Sequence, residues 1–148
     1  MYLLDTNIIS KATRKDPESI EIINNLRNKW MIHNQHLDLF TSVIVIQEIE
    51  FGILQAQLKH GKDYKKDYFT NQNAFISDKI SVLDYTNEMA KRFAKIKSKL
   101  NSSGKNVGDA DLMIAAAAIE TNLVLITNNT KHFEVIPGLA IEDWTKPL

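Results

Sequence analysis

VGDADLMIAAAAIETNLVLITNN, residues Val107 to Asn129, is the stretch whose reading decides the fold. Its alanine-rich run from Leu112 to Ile119 reads as a buried helix, because alanine is the best helix former and a poor strand former. An Asp/Gly cluster precedes that helix. Leu123-Val124-Leu125-Ile126 then reads as a strand buried on both faces, closed by the turn formers Thr127-Asn128-Asn129. A buried helix feeding a buried strand is the unit from which parallel α/β sheets are built.

Working outward, the same alternation recurs. Tyr2-Leu3-Leu4 is a short apolar run ending in Asp5-Thr6-Asn7, a cluster suited to capping a helix. Beyond Pro17, the spacing of Ile20, Ile23, Leu26 and Trp30 predicts an amphipathic helix that buries this stripe. Leu39 to Ser42 reads as a second strand. Val43 to His60 reads as a helix that carries Ile46, Ile49, Ile53 and Leu54 at helical offsets, where Gly52 suggests close packing. Asp63 to Phe75 is polar with aromatic interruptions and reads as helical. Ile80 to Leu83 is a third strand, Met89, Phe93, Ile96 and Leu100 mark another helix, and a last strand is expected around Ala140 to Trp144 after the Pro137-Gly138 turn. The expected fold class is therefore α/β, with a parallel sheet covered on both faces, in one domain over residues 1–148.

Composition narrows the classes further. The 148 residues are 44% hydrophobic and 24% charged, ordinary globular usage that fits one domain. The longest apolar run is too short to span a bilayer, and no basic leader precedes the first strand. There is no cysteine, which excludes disulfides and thiolate metal sites, so the expected location is cytoplasmic. Eighteen basic and eighteen acidic residues leave no net charge. Any contact with nucleic acid must then come from a local patch rather than from the field of the whole surface.

In parallel sheets the functional crevice lies beyond the carboxyl ends of the strands. Asp5 and Asn129 fall there, Glu48 lies about two helical turns past the second strand, and Asp111 opens the buried helix. Three carboxylates and an amide from four distant segments can meet at one edge. Their repulsion is costly unless a cation neutralises it, and hard oxygen donors favour Mg²⁺ or Mn²⁺. Each residue alone has a plainer reading. Asp5, Asp109 and Asp111 suit helix N-termini, Glu48 suits a solvated helix face, and Asn128 and Asn129 are ordinary turn formers.

Taken together, these residues resemble the PIN-domain family, and the VapC toxins of type II toxin–antitoxin pairs in particular. The pieces that carry the resemblance are Leu3-Leu4-Asp5-Thr6-Asn7-Ile8-Ile9-Ser10, Thr41-Ser42-Val43 with Gln47-Glu48-Ile49-Glu50-Phe51-Gly52, and Val107 to Ala116. Leu125-Ile126-Thr127-Asn128-Asn129-Thr130-Lys131-His132-Phe133 and Ile136-Pro137-Gly138-Leu139 through Glu142-Asp143-Trp144 complete the set. The resemblance implies a three-layer α/β/α PIN-like domain with a parallel sheet, and a divalent-metal ribonuclease. Its acidic positions fall on Asp5, Glu48 and Asp111, which would hold the metal and carry catalysis, with Asn129 at a fourth position where many members have Asp. It further implies a VapB-like antitoxin, an RNA substrate such as tRNA or rRNA, and a homodimer. The apolar residues of the Ile46–Leu58 and Met89–Leu100 helices point the same way, since a small core does not consume them all. Extra polar residues between Asn28 and Asp38 depart from the shortest members.

Around the carboxylates, Thr6, Asn7, Asp109, Thr127 and Asn128 are candidates to orient them or to touch substrate. Lys11, Arg14, Lys15, Lys105 and Lys131 are candidate RNA contacts, and His132 a candidate for a base or phosphate. Two other classes stay open at this point. A receiver-type phosphoacceptor would use Asp84 after the third strand, but wants an acidic pair at the first. A phosphatase with an Asp nucleophile wants a second Asp where Asn7 stands. A PIN fold acting only as a scaffold is the third alternative, kept open by Asn129 while Asp5, Glu48 and Asp111 count against it, and a housekeeping RNA-processing nuclease is the alternative to the toxin role.

Overall fold

A computed structural model describes every residue except Lys15, Gln35 and Leu148. The described chain begins with β1 (Tyr2–Leu4), α1 (Thr6–Ala12), α2 (Pro17–Ile32), β2 (Leu39–Ser42), α3 (Val43–His60) and α4 (Lys66–Lys79). It continues with β3 (Ser81–Leu83), α5 (Asn87–Ser102), α6 (Asp109–Glu120), β4 (Val124–Ile126), α7 (Thr130–Phe133) and β5 (Ile141–Glu142).

Local chemistry sets the boundaries. Asp5 is extended and its side chain accepts from the Thr6 amide, so the residue that ends β1 also starts α1. Asp16 and Ser19 form a reciprocal capping box around Pro17 in the first turn of α2. Ser42 closes β2 and caps α3, and Thr86 caps α5.

All strand pairs are parallel, in the order β3-β2-β1-β4-β5. From β1 the chain winds outward through β2 and β3, then returns to pair β4 on the other side of β1. The order therefore reverses between β1 and β4, the switch point at which an open parallel sheet leaves a crevice. Leu4 stands opposite Ile126, and the Asp5 amide donates to the Ile126 carbonyl at 3.0 Å. Asp5 and Thr127 thus leave the sheet side by side. Helices cover both faces, which gives the expected three-layer α/β/α fold. Leu3, Leu4, Leu125 and Ile126 of the central strands pack with Leu112, Ile114 and Ala115 to Ala118 of α6 in the core. The alanines let α6 approach the sheet closely, as the sequence expected.

Four local expectations are corrected. Most of the apolar stripe of α2 faces away from the core: α2 buries Ser19, Ile22 and Asn25, while Ile20, Ile23 and Trp30 are exposed and Leu26 packs against the core partly buried. The reason lies in the C-terminal segment, whose Trp144 and Lys146 carbonyls accept hydrogen bonds from Asn25 Nδ2 at 3.1 and 2.8 Å. Satisfying those carbonyls fixes the rotation of the helix. Gly52 packs against nothing, since a Cβ there would meet no atom within 4 Å. Met89, Ile96 and Leu100 of α5 are consumed by the fold, so of the two helices expected to carry surplus apolar surface only α3 does, at Phe51, Leu54 and Leu58. The last strand is only two residues long, and Trp144 is buried just beyond it with its indole N–H donating to Glu142 at 2.8 Å.

The rotation of α2 is testable. Ile22→Ala is expected to cost about 2–4 kcal/mol in urea unfolding, the usual cost of a cavity at a fully buried site. Ile20→Ala should stay within about 0.5 kcal/mol. Equal losses at the two positions would show that the stripe read from the sequence faces the core after all.

Candidate active site

Four segments converge at the crevice beyond β1 and β4. Asp5 is nearly inaccessible, at 3% exposure, and both its oxygens are held. Oδ1 accepts from the Thr6 amide at 2.7 Å, and Oδ2 accepts from Asn7 Nδ2 at 2.6 Å and from the Thr127 hydroxyl at 2.7 Å. Asn7 in turn accepts from the Asn128 amide at 3.0 Å, and the Asn129 amide donates to Thr127 at 3.0 Å. The loops after β1 and β4 are thereby locked to each other through side chains. Behind them the buried Thr41 hydroxyl donates to the Leu4 carbonyl at 2.9 Å, pinning the strand end that carries Asp5.

Glu48 reaches the crevice from α3, and its carboxylate accepts from the Thr6 hydroxyl. Asp111 enters from the first turn of α6, where the helix dipole favours negative charge. Its Oδ2 lies 3.0 Å from His132 Nδ1, which also sits 2.7 Å from Asn129 Nδ2. His132 therefore joins Asp111 to the Asn129 position. Position in sequence had offered for it only a base or phosphate contact, because its distance from Asp111 depends on the tertiary pairing of α6 with α7.

The electrostatics follow from the packing. Burial pushes the Asp5 carboxyl up to about 6, against the hydrogen bonds from Thr127 and Thr6, and the neighbouring Asp111 and Glu48 carboxylates raise it further. A buried carboxylate beside two others is costly unless a cation compensates it. The donors are hard oxygens of the kind that hold Mg²⁺ or Mn²⁺. Among the described residues no three His, Asp or Glu side chains stand close enough together to hold a metal ion between them. An ion here would have to be held partly through its own waters, as Mg²⁺ commonly is.

Other candidates lie elsewhere. Asp109 is exposed and pairs with Lys97 of α5 at 2.7 Å, so it stays out of the Asp5 network. Lys11 pairs with Glu18 of α2. Arg14, Lys105 and Lys131 are exposed, and Lys15 lies outside the described residues. Asp84 is exposed at the end of β3, an edge strand two places from β1, where a receiver-type phosphoacceptor would lack the Asp5 crevice. The sequence offered no sign of Ser10, whose hydroxyl and carbonyl accept from Gln72 at 3.0 Å and Tyr68 at 2.7 Å, both on α4.

Comparison with known proteins agrees with this geometry. The PIN domain pattern matches residues 2–139. Ribonuclease VapC2 of Rickettsia felis is 32% identical, with 99% of each chain covered. The tRNA(fMet)-specific endonuclease VapC of Shigella flexneri is 31% identical over 97% of this chain and 98% of that protein. Among solved structures, VapBC2 from Rickettsia felis bound to a DNA fragment from their promoter superposes with a TM-score of 0.79 at 29% identity, covering 97% of this chain and 98% of the other. DNA-bound VapBC from Salmonella typhimurium gives a TM-score of 0.73 at 31% identity, with 97% of each chain covered. The chain belongs to the PIN-domain family and, within it, to the VapC ribonucleases.

The raised Asp5 carboxyl has a consequence for stability. Its folded value of about 6 exceeds the ordinary 3.8, so between those limits the folded state holds a proton that the unfolded chain has lost. Stability of the metal-free protein then falls as pH rises through that window. At pH 7, Asp5→Asn is expected to be more stable than the parent by about 1–3 kcal/mol, with the gap closing toward pH 4. Thermal unfolding in EDTA at both pH values checks this. A variant less stable than the parent at pH 7 would mean that the hydrogen bonds to Asp5 outweigh its desolvation.

Proposed function

We propose that this chain is a Mg²⁺- or Mn²⁺-dependent endoribonuclease acting in the cytoplasm as the toxin of a toxin–antitoxin pair, with tRNA or rRNA as its substrate. The observation that carries the reading is the buried Asp5 carboxylate crowded by Asp111 and Glu48 at the sheet's switch point. Asp5, Glu48 and Asp111 would hold the ion directly or through water, and the ion would neutralise charge on the scissile phosphate and on the leaving oxygen. Thr6 fixes the Glu48 carboxylate, while Asn7 and Thr127 fix Asp5, so the acidic groups are aimed before substrate arrives. One of the three carboxylates orients the attacking water. That water adds to phosphorus as its proton passes to the carboxylate, the bond to the leaving oxygen breaks, and the leaving oxygen takes up a proton from solvent to become a hydroxyl. Asn129 offers a carbonyl oxygen without charge, so a second ion at that side would be held more weakly.

Names of relatives support the substrate class: one is a ribonuclease and another a tRNA(fMet)-specific endonuclease. Structures of VapBC complexes support a VapB-like antitoxin as partner. The stripe that α2 turns away from the core gives such a partner an apolar seat, in a groove lined by Ile23, Leu26, Trp30 and Phe75. A basic side chain from the partner reaching the carboxylates would complete recognition of a toxin that carries no net charge of its own. No helix among the described residues is long and apolar enough to cross a membrane.

Purified protein incubated with total tRNA and rRNA in Mg²⁺ or Mn²⁺ is expected to cut a discrete subset of RNAs. EDTA should stop the reaction, and Asp5→Asn should lower the rate by at least about a hundredfold. Cleavage that persists unchanged in Asp5→Asn would overturn the assignment.

A homodimer is proposed from the α3 face, where Phe51, Leu54 and Leu58 are 64%, 56% and 81% exposed at positions that share one side of the helix. Light scattering should give twice the 16.9 kDa chain mass, falling to one chain in Leu54→Lys. A single-chain mass for the parent, with cleavage intact, would show that pairing is neither present nor needed.

A further inference from the structure

Two cavities on the α4 side of the molecule share one wall. The first, of 280 Å³, has Thr6, Glu48 and Gly52 at one end and Ser10, Tyr68 and Gln72 at the other. The second, of 680 Å³, is lined by Thr13, Arg14, Lys65, Asp67, Tyr68 and Asn71. Tyr68 is common to both, so it stands between the cavity that Glu48 lines and a pocket carrying Arg14 and Lys65. The missing side chain at Gly52 keeps the first cavity open, since nothing lies within 4 Å of its would-be Cβ.

The shared wall is fixed. The Tyr68 hydroxyl donates to the Ser10 carbonyl at 2.7 Å, its ring packs edge-on against Phe69 with centroids 5.4 Å apart, and buried Gln72 one turn on donates to the Ser10 hydroxyl. Helix α4 is thereby tied to α1, which carries Thr6 and Asn7. The outer pocket is polar in a particular way. Neither Arg14 nor Lys65 forms an ion pair among the described residues, although the Lys65 ammonium lies over the Tyr64 ring, 5.4 Å from its centroid, and Lys65 holds a left-handed backbone, φ 49, that a non-glycine residue adopts only at a cost. Asp67 and Asn71 lie four residues apart, on one face of α4.

We propose that the outer pocket is a nucleotide subsite, which seats the residue of the RNA strand flanking the scissile phosphate and selects against uracil there. The proposal rests on the ribonuclease reading of the carboxylate site. Its volume lies within the range of about 300–1,000 Å³ typical of small-ligand sites. Arg14 offers a planar fork and Lys65 a point charge to a backbone phosphate. Tyr68 presents an aromatic wall to the base. Asp67 accepts from an exocyclic amino group, as carboxylates do from cytosine N4, while Asn71 both donates and accepts. Uracil has no amino group, and its two carbonyls flank its single ring N–H, so it meets Asp67 with repulsion on either side.

The test uses an RNA that the protein cuts, with the nucleotides on either side of the cut replaced in turn by each of the four bases. The parent enzyme should cleave the uracil-substituted RNA at one flank markedly less well than the other three. Asp67→Ala should remove that difference. Arg14→Ala should raise KM about fivefold with kcat little changed, and reduce the slope of log affinity against log salt by about one. Tyr68→Phe, which keeps the ring and loses the bond to Ser10, should leave the base preference intact. If the parent cuts RNA but these variants change neither KM, salt slope nor base preference, the subsite is overturned while the nuclease reading stands. A parent that cuts no RNA in either metal would instead overturn both.

Discussion

Everything at the functional end of this molecule depends on one awkward placement: a carboxylate that the fold removes from water and then surrounds with two more. Asp5 cannot move out, because its backbone amide is a rung of the sheet and its side chain starts α1. Its burial follows from the switch point, where β1 and β4 end together and their loops close over one another through Asn7, Thr127 and Asn128. Neutral donors offset part of the cost but do not remove the charge repulsion from Asp111 and Glu48. A fold that maintains such a cluster stores unfavourable electrostatic energy at this edge, and under the proposed reading a divalent ion would release it.

The rest of the architecture serves that edge in separable ways. The small side chains of α6 bring a helix close enough to the sheet for Asp111 to reach the crevice from its first turn. Thr41 holds the end of β1, and Thr6 couples α1 to α3 through Glu48. Asn25, far from the chemistry, ties α2 to the C-terminal segment, which brings Glu142 beside Thr127 in the last rung of the sheet. Two apolar faces remain uncovered, on α2 and on α3, and they do not coincide with the acidic crevice.

The central elements were legible because their signals are local. Alanine repetition in 112–119, the buried strands at 2–4 and 124–126, and the polar clusters that end them depend on propensity and period alone. The acidic residues were legible through the rule that parallel sheets gather function at strand ends. What failed was rotation and range. The stripe of α2 is a genuine apolar period, but the side that docks is chosen by Asn25 and Ile22, through contacts with a segment more than a hundred residues away. The apolar residues of α5 looked surplus because no periodicity reveals how much surface a neighbouring helix covers. Asp109 and Asp111 have the same helix-start reading from propensity alone and were told apart only by the resemblance; one pairs with Lys97 at the surface and the other meets His132 at the crevice, since two residues along a helix point to different sides. Tyr68 and Gln72 carried no signal, because their roles exist only once α4 lies against α1.

The central claim is that the Asp5 cluster is poised for a divalent cation, and titration of the Asp5 carboxyl by carbon-detected NMR tests it most directly. In EDTA the resonance should move with a midpoint near 6, and with saturating Mg²⁺ the midpoint should drop below the ordinary 3.8, because the ion favours the charged form. A midpoint near 6 that Mg²⁺ and Mn²⁺ both leave unchanged would contradict the account, and would mean that the buried carboxylate is structural.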